Sequence, residues 1–231
     1  MYKNKKILII IPAYNEENNI GVVLDQLINH ELKPDIVVIN DNSNDKTAEV
    51  CVNKNVSLIN LPTHGGISKA MMAGYNFAKD NNYDIAIQVD ADGQHNPKYL
   101  AEMIEPLIEN KADLVVGSRF IEKIGFQSSY IRRIGILIIR TFLKIIIGKA
   151  ITDPTSGYRA CNSKVIELFS QNYPAKYPEP PSFVILSKNS MNVIEIPVIM
   201  NERLSGKSSI SGINSVDYMT KTLFRIIFYS F

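Results

Sequence analysis

Asp90 and Asp92 stand one alanine apart just after the apolar run at 84–89, and Gly93 and Gln94 follow them. Two carboxylates so close repel each other, so the pair asks for a positive partner. Oxygen donors suit hard divalent cations, and Mg2+ is commonly held by one or two carboxylates while substrate phosphates complete its shell. The pair makes chemical sense if Mg2+ or Mn2+ arrives with a phosphate-bearing ligand. A lone D-x-D triplet is equally what a solvated turn looks like; here its place behind a strand-like run favours the chemical reading. The three histidines, His30, His64 and His95, fit no metal-ligand spacing. His30 reads as a helix-end residue, and His64 and His95 are candidates to line a site.

The elements that must carry the pair alternate in type. Strand-like runs at 6–11, 35–40, 56–60, 84–89 and 113–117 are nearly all apolar, as in strands covered on both faces. Helical patterns lie between them, at 17–30, at 68–79, and after Asn96-Pro97, which reads as an N-cap with a first-turn proline. Strand alternating with helix predicts an α/β fold with a mostly parallel sheet, whose ligands sit at the carboxyl ends of the strands. The polar tracts PAYNEE (12–17), NDNSND (40–45), HGGISKA (64–70) and DADGQH (90–95) fall at four such ends. Four polar ends together predict one composite site, although Gly65-Gly66 alone is also an ordinary turn.

PAYNEE, VVINDNSNDKT, DADGQH, GSRF and DPTSGYRA, in that order, resemble family-2 glycosyltransferases of the GT-A fold, and most of all the dolichyl- or polyprenyl-phosphate sugar synthases. The resemblance runs from about residue 6 to about 210 and implies a nucleoside-diphosphate sugar bound over the strand ends. It places Pro12, Tyr14, Glu16, Asp41 and Lys69 at the nucleotide, and Asp90, Asp92 and Gln94 at the metal and diphosphate. It places Gly157, Tyr158 and Arg159 near the sugar and acceptor, and implies inversion at the anomeric carbon. The family's paired aspartates are here Asn40-Asp41, which leaves the base open. Asp92, Arg119 and Arg159 are the expected catalytic residues. A metal can stabilise the departing diphosphate as a Lewis acid, so no Ser–His–Asp arrangement is needed.

The expected acceptor is a polyprenyl phosphate, already anionic, which needs cations and no base. Arg119, Arg132, Arg133, Arg203 and Lys207 are the candidates, since guanidinium suits phosphate. Glu179, before a proline pair, sits roughly where some relatives carry a general base, which a hydroxyl acceptor would require. Transfer to a hydroxyl of a growing polysaccharide or lipid-linked saccharide is therefore the alternative. A non-catalytic nucleotide-sugar-binding subunit is a third reading, against which the intact D-x-D motif argues. A nucleotidyltransferase is disfavoured because its Gly-rich, basic phosphate loop is missing after the first strand.

The bulk properties set the frame. A chain of 231 residues, 45% apolar, can bury one sizeable core. Its formal charge of +2 argues neither for nor against nucleic acid, and no nucleic-acid partner is expected. Cys51 and Cys161 lie far apart and suggest a reducing compartment. The N-terminal apolar run is too short for a secretion signal, and no stretch reaches a membrane span. Residues 131–151 and 216–231 mix bulky apolar residues with cations, which suits amphipathic helices lying in a membrane interface; a buried helix with a basic outer face is the plainer option. The expected organisation is a GT-A domain over 1–211, with 131–151 as an interfacial helix within it, and a membrane-proximal or oligomerisation helix over 212–231. The expected location is peripheral, on the cytoplasmic face of the membrane. The chain stops at Phe231 without the membrane helices common in relatives, so a small membrane partner or self-association is expected.

Overall fold

The computed structural model describes residues 2–125, 130–206 and 214–231. Its strands are β1 (Ile7–Ala13), β2 (Asp35–Asn40), β3 (Ser57–Asn60), β4 (Ile85–Gln88), β5 (Leu114–Ser118), β6 (Arg159–Asn162) and β7 (Val193–Pro197). They form one sheet in the order β3-β2-β1-β4-β6-β5-β7, parallel except for β6. The helices are α1 (Ile20–Ile28), α2 (Thr47–Asn53), α3 (Gly66–Asp80), α4 (Leu100–Ile108), α5 (Tyr130–Ile147), α6 (Ser163–Asn172), α7 (Glu179–Lys188) and α8 (Asn214–Ser230).

The unbroken apolar runs have a direct cause. Alternate side chains of a strand point to opposite faces. Ile7, Ile9 and Ile11 enter one core with α1 and α4, while Leu8 and Ile10 enter a second with α3 and α6. Both faces are covered, so neither can be polar. Asn96 caps the 3₁₀ turn Pro97–Tyr99, accepting from the Lys98 N–H at 3.1 Å, and α4 follows directly.

Two details differ from the sequence expectation. Helix α1 begins at Ile20 and not Glu17, because the N–H groups of Asn19 and Ile20 both donate to the Glu16 carbonyl and close a turn first. The antiparallel strand β6 lies between β4 and β5, pairing Gln88 with Arg159 and Val115 with Ala160. Its four residues, Arg-Ala-Cys-Asn, carry no strand-like pattern; two neighbouring edges impose the extended form.

Helices α5, α7 and α8 pack together beside the sheet. Ile139 and Leu143 of α5 and Tyr218 and Ile226 of α8 share the core that holds Leu8 and Ile10. Gly135 lets α8 come close: a Cβ there would meet Met219 Sδ at 1.7 Å. The outward faces are apolar too. Leu137 is 57% exposed, Ile145 75%, Phe224 70% and Phe228 67%, with Arg133 and Lys144 exposed among them. No helix of the described residues is long and apolar enough to cross a membrane.

Candidate active site

A cleft of about 1390 Å³ lies over the carboxyl ends of β1, β2 and β4 and runs to α5, α7 and α8. Pro12, Tyr14, Glu16, Asp41, Asp90, Asp92, Gln94, Arg132, Gly157, Glu179 and Arg203 all line it. The sheet brings them together because parallel strands deliver their loops to one edge.

At one end Asp41, 3% exposed, accepts the Gly65 and Gly66 N–H groups on its two oxygens, both at 2.7 Å. The aspartate thus holds the turn that opens α3, and the glycine pair is part of the site's frame. His64 Nδ1 lies 2.9 Å from the same carboxylate, and its ring stacks on Tyr14 with centroids 4.0 Å apart. The result is an aromatic shelf beside a buried acid. Lys69 is exposed on the first turn of α3 and does not line the cleft.

In the middle stand the two carboxylates. Asp92 Oδ1 accepts the Gln94 main-chain N–H at 3.0 Å, and Oδ2 faces Arg203 Nη2 at 3.0 Å. The same Arg203 nitrogen reaches Glu16 Oε1 at 3.2 Å. Arg203 is therefore a positive partner of Asp92, one member of the pair, brought from far along the chain. Leu204 N–H donates to the Asp92 carbonyl, and Ser205 is hydrogen-bonded to Asn19, so this segment is strapped to both loops. Burial raises the Glu16 pKa, Asn19 and Arg203 oppose that, and the charges of Asp92 and Asp90 add to it.

Two oxygen-only side chains on a cleft fit a hard divalent cation that takes its other ligands from a diphosphate. Asp90 and Asp92 would hold it. The Gln94 side chain, expected as a third ligand, points to the Asn201 carbonyl at 3.5 Å. Gly157 forms the floor: a Cβ there would come within 2.8 Å of Gln88 Nε2 and 3.3 Å of Asp90 Oδ2.

The arginines divide. Arg132 lines the far end of the cleft, where burial and then the neighbouring Arg119 charge lower its pKa. Arg119 and Arg159 do not line it, and their placement differs from the expectation of catalytic contacts. Arg119 is locked to Asp153 by Nε–Oδ2 at 2.6 Å and Nη2–Oδ1 at 2.7 Å, both side chains almost wholly buried. Arg159 donates to the carbonyls of Ser156, Pro154 and Glu179 and to Ser182 Oγ. These contacts brace the DPTSGYR loop against β5 and α7. Tyr158 is buried, its hydroxyl donating to the Asn96 carbonyl at 2.9 Å. Arg133 is exposed on α5 and outside the cleft lining, and Lys207 lies outside the described residues. Lys176 and Tyr177, both at positive φ, also line the cleft beside Glu179, and neither was among the expected site residues.

The model of the family described as "Glycosyl transferase family 2" matches residues 8–169. The chain belongs to this family. It is a glycosyltransferase with a GT-A-like α/β fold. A UDP-N-acetylglucosamine–dolichyl-phosphate N-acetylglucosaminyltransferase of Methanococcus voltae is 31% identical over 84% of this glycosyltransferase and 85% of its own length. A polyprenol monophosphomannose synthase of Mycolicibacterium smegmatis is 27% identical over 94% of the chain and 85% of its own. Among solved structures, the glycosyltransferase superposes on glucosyl-3-phosphoglycerate synthase of Mycobacterium tuberculosis in complex with Mn2+, UDP-glucose and phosphoglyceric acid. That match has a TM-score of 0.74 at 18% identity and covers 96% of this chain and 80% of the other.

Proposed function

We propose that this glycosyltransferase moves a hexose from a nucleoside-diphosphate sugar to a polyprenyl phosphate at a membrane surface, with Mg2+ or Mn2+. The observation that carries the reading is the layout of the cleft. Its strand end offers acids and an aromatic shelf, and its other end offers Arg132 and Lys176 where α5 and α8 turn apolar faces outward. The relatives named for dolichyl and polyprenyl phosphate agree with it.

In this reading Tyr14 and Asp41 border the nucleotide, and Asp90 and Asp92 hold the metal. The metal supplies Lewis-acid stabilisation of the departing diphosphate. Arg203, between Glu16 and Asp92, is placed to meet the diphosphate as well. Arg132 orients the acceptor phosphate, which as an anion needs no proton removed. The peripheral location follows from the outer faces of α5 and α8, where cations among exposed aliphatic and aromatic side chains suit an interface. Incubation with membranes and a panel of labelled nucleotide sugars, followed by identification of the product, tests the proposal. A labelled polyprenyl monophosphate sugar is expected; label confined to polysaccharide would overturn the acceptor.

One observation favours a hydroxyl acceptor instead. Glu179 lines the cleft, and burial raises its pKa against the opposing charge of Arg159, the direction a general base requires.

A further inference from the structure

Asp90 is held from three directions by two residues that the proposed reaction does not otherwise use. Gln88, the last residue of β4 and 2% exposed, donates from Nε2 to Asp90 Oδ1 at 3.1 Å. His95, 5% exposed, accepts the Asp90 main-chain N–H on Nδ1 at 3.0 Å. An imidazole nitrogen that accepts an amide proton carries none itself, so the ring proton sits on Nε2. That nitrogen lies 3.6 Å from Asp90 Oδ2, beyond a direct hydrogen bond. The ring is fixed in turn by stacking on Tyr158, centroids 4.7 Å apart and planes 9° from parallel.

The Gln88 amide makes the point sharper. Its Oε1 is buried without a hydrogen-bond partner. An unpaired buried carbonyl is a cost that a leucine of similar size would avoid. What the amide provides in return is the N–H on Asp90. Flipping it would set oxygen against carboxylate. Gly157 leaves the room for this contact, since a Cβ there would collide with Gln88 Nε2.

We infer that Gln88 and His95 are positioning residues for Asp90, fixing the carboxylate in the orientation in which it receives a divalent cation, while neither is itself a ligand. The inference rests on the metal reading given above. Partners of this kind orient metal-binding side chains, and their loss typically weakens metal affinity 10–100-fold.

The test is Mn2+ titrated into the purified chain and followed by electron paramagnetic resonance, alone and with UDP or GDP. Gln88→Leu and His95→Phe each weaken Mn2+ binding about 10- to 100-fold. His95→Asn keeps an acceptor for the Asp90 N–H and loses less than His95→Phe. Melting temperature does not fall below the wild-type level and metal-free nucleotide binding stays at it, which a merely structural role in the loop would not allow. If either apolar variant fails to fold, Gln88→Asn, too short to reach Asp90, and His95→Ala, which has no acceptor for the Asp90 N–H, decide by the same criterion. Folded variants that bind Mn2+ within about twofold of wild type, well short of that range, overturn the assignment. A wild-type chain that takes up no Mn2+ in any of these conditions overturns the metal reading, and the assignment with it.

Discussion

Asp92 and Glu179 put the reading of the cleft to the test at the scale of single residues. Asp92 has one oxygen on a main-chain N–H and the other on Arg203, which also holds Glu16. Asp92→Asn keeps the shape and removes the charge. Loss of about 4 kcal/mol of transition-state stabilisation corresponds to about a thousandfold in rate. Turnover is expected to fall by at least that much while circular dichroism and melting stay close to wild type. Near-normal turnover by a folded variant would remove the pair from the mechanism. For Glu179→Gln, a phosphate acceptor predicts only a modest change in rate, because no proton has to leave. A hydroxyl acceptor predicts a fall of about a hundredfold to ten-thousandfold at unchanged donor affinity. The modest outcome is expected. The same substitution has a stability signature. A carboxyl whose folded pKa is raised above its ordinary 4.5 binds its proton more tightly folded than unfolded. The folded state is therefore penalised as pH rises through the raised value, and not below 4.5. Glutamine mimics the protonated form, so Glu179→Gln should melt higher than wild type at neutral pH, with the difference closing in acid. A difference that does not depend on pH would contradict the shift.

At the scale of elements, the proposed membrane contact rests on α5 and α8. Each buries one stripe in the core and leaves an outer face that is neither plainly basic nor plainly apolar. A buried helix with a solvated basic face would not expose Leu137, Ile145, Phe224 and Phe228 together. Vesicles containing anionic lipid should co-sediment the chain, and binding should weaken as salt rises, since surface charges are screened within about 10 Å at 0.1 M ionic strength. Arg133→Gln with Lys144→Gln should weaken it further, and Leu137→Ser with Phe228→Ser should weaken it even at low salt. Indifference to salt and to all four substitutions would leave these faces without a membrane role.

At the scale of the whole molecule, the Arg119–Asp153 pair ties the end of β5 to the loop that leads into β6. Both side chains are buried, so removing one leaves the other's charge in the interior without its counter-charge. Arg119→Met or Asp153→Leu alone should cost about 3–5 kcal/mol in denaturant unfolding, and the double substitution clearly less than the sum. Additive losses would show that the two charges do not depend on each other. The brace also gives Arg119 and Arg159 structural partners that their local sequence does not reveal. In the sequence, Arg119 and Arg159 stand near glycines and aspartates, which is how a phosphate-binding arginine also looks. Their partners include carbonyls, hydroxyls and a carboxylate that only the closed loop brings within reach.

By itself the sequence determined the alternation of strand and helix, the order of the first five strands along the chain, and the four polar ends that make one cleft. Those signals are local: burial on both faces forces apolar runs, and loops at strand ends carry what the strands cannot. The D-x-D pair and the motifs in their order were legible for the same reason, since each lies within a few residues. Only the tertiary structure decided that β6 inserts antiparallel between β4 and β5, because its pairing comes from two edges and not from its own residues. It also decided that Arg203 answers Asp92 from 111 positions away, that Lys176 joins the cleft, and that Gln88 and His95 flank Asp90. A residue's partner across the fold leaves no periodicity in the chain. It is set by which loops the sheet brings to one edge, and that is a property of packing.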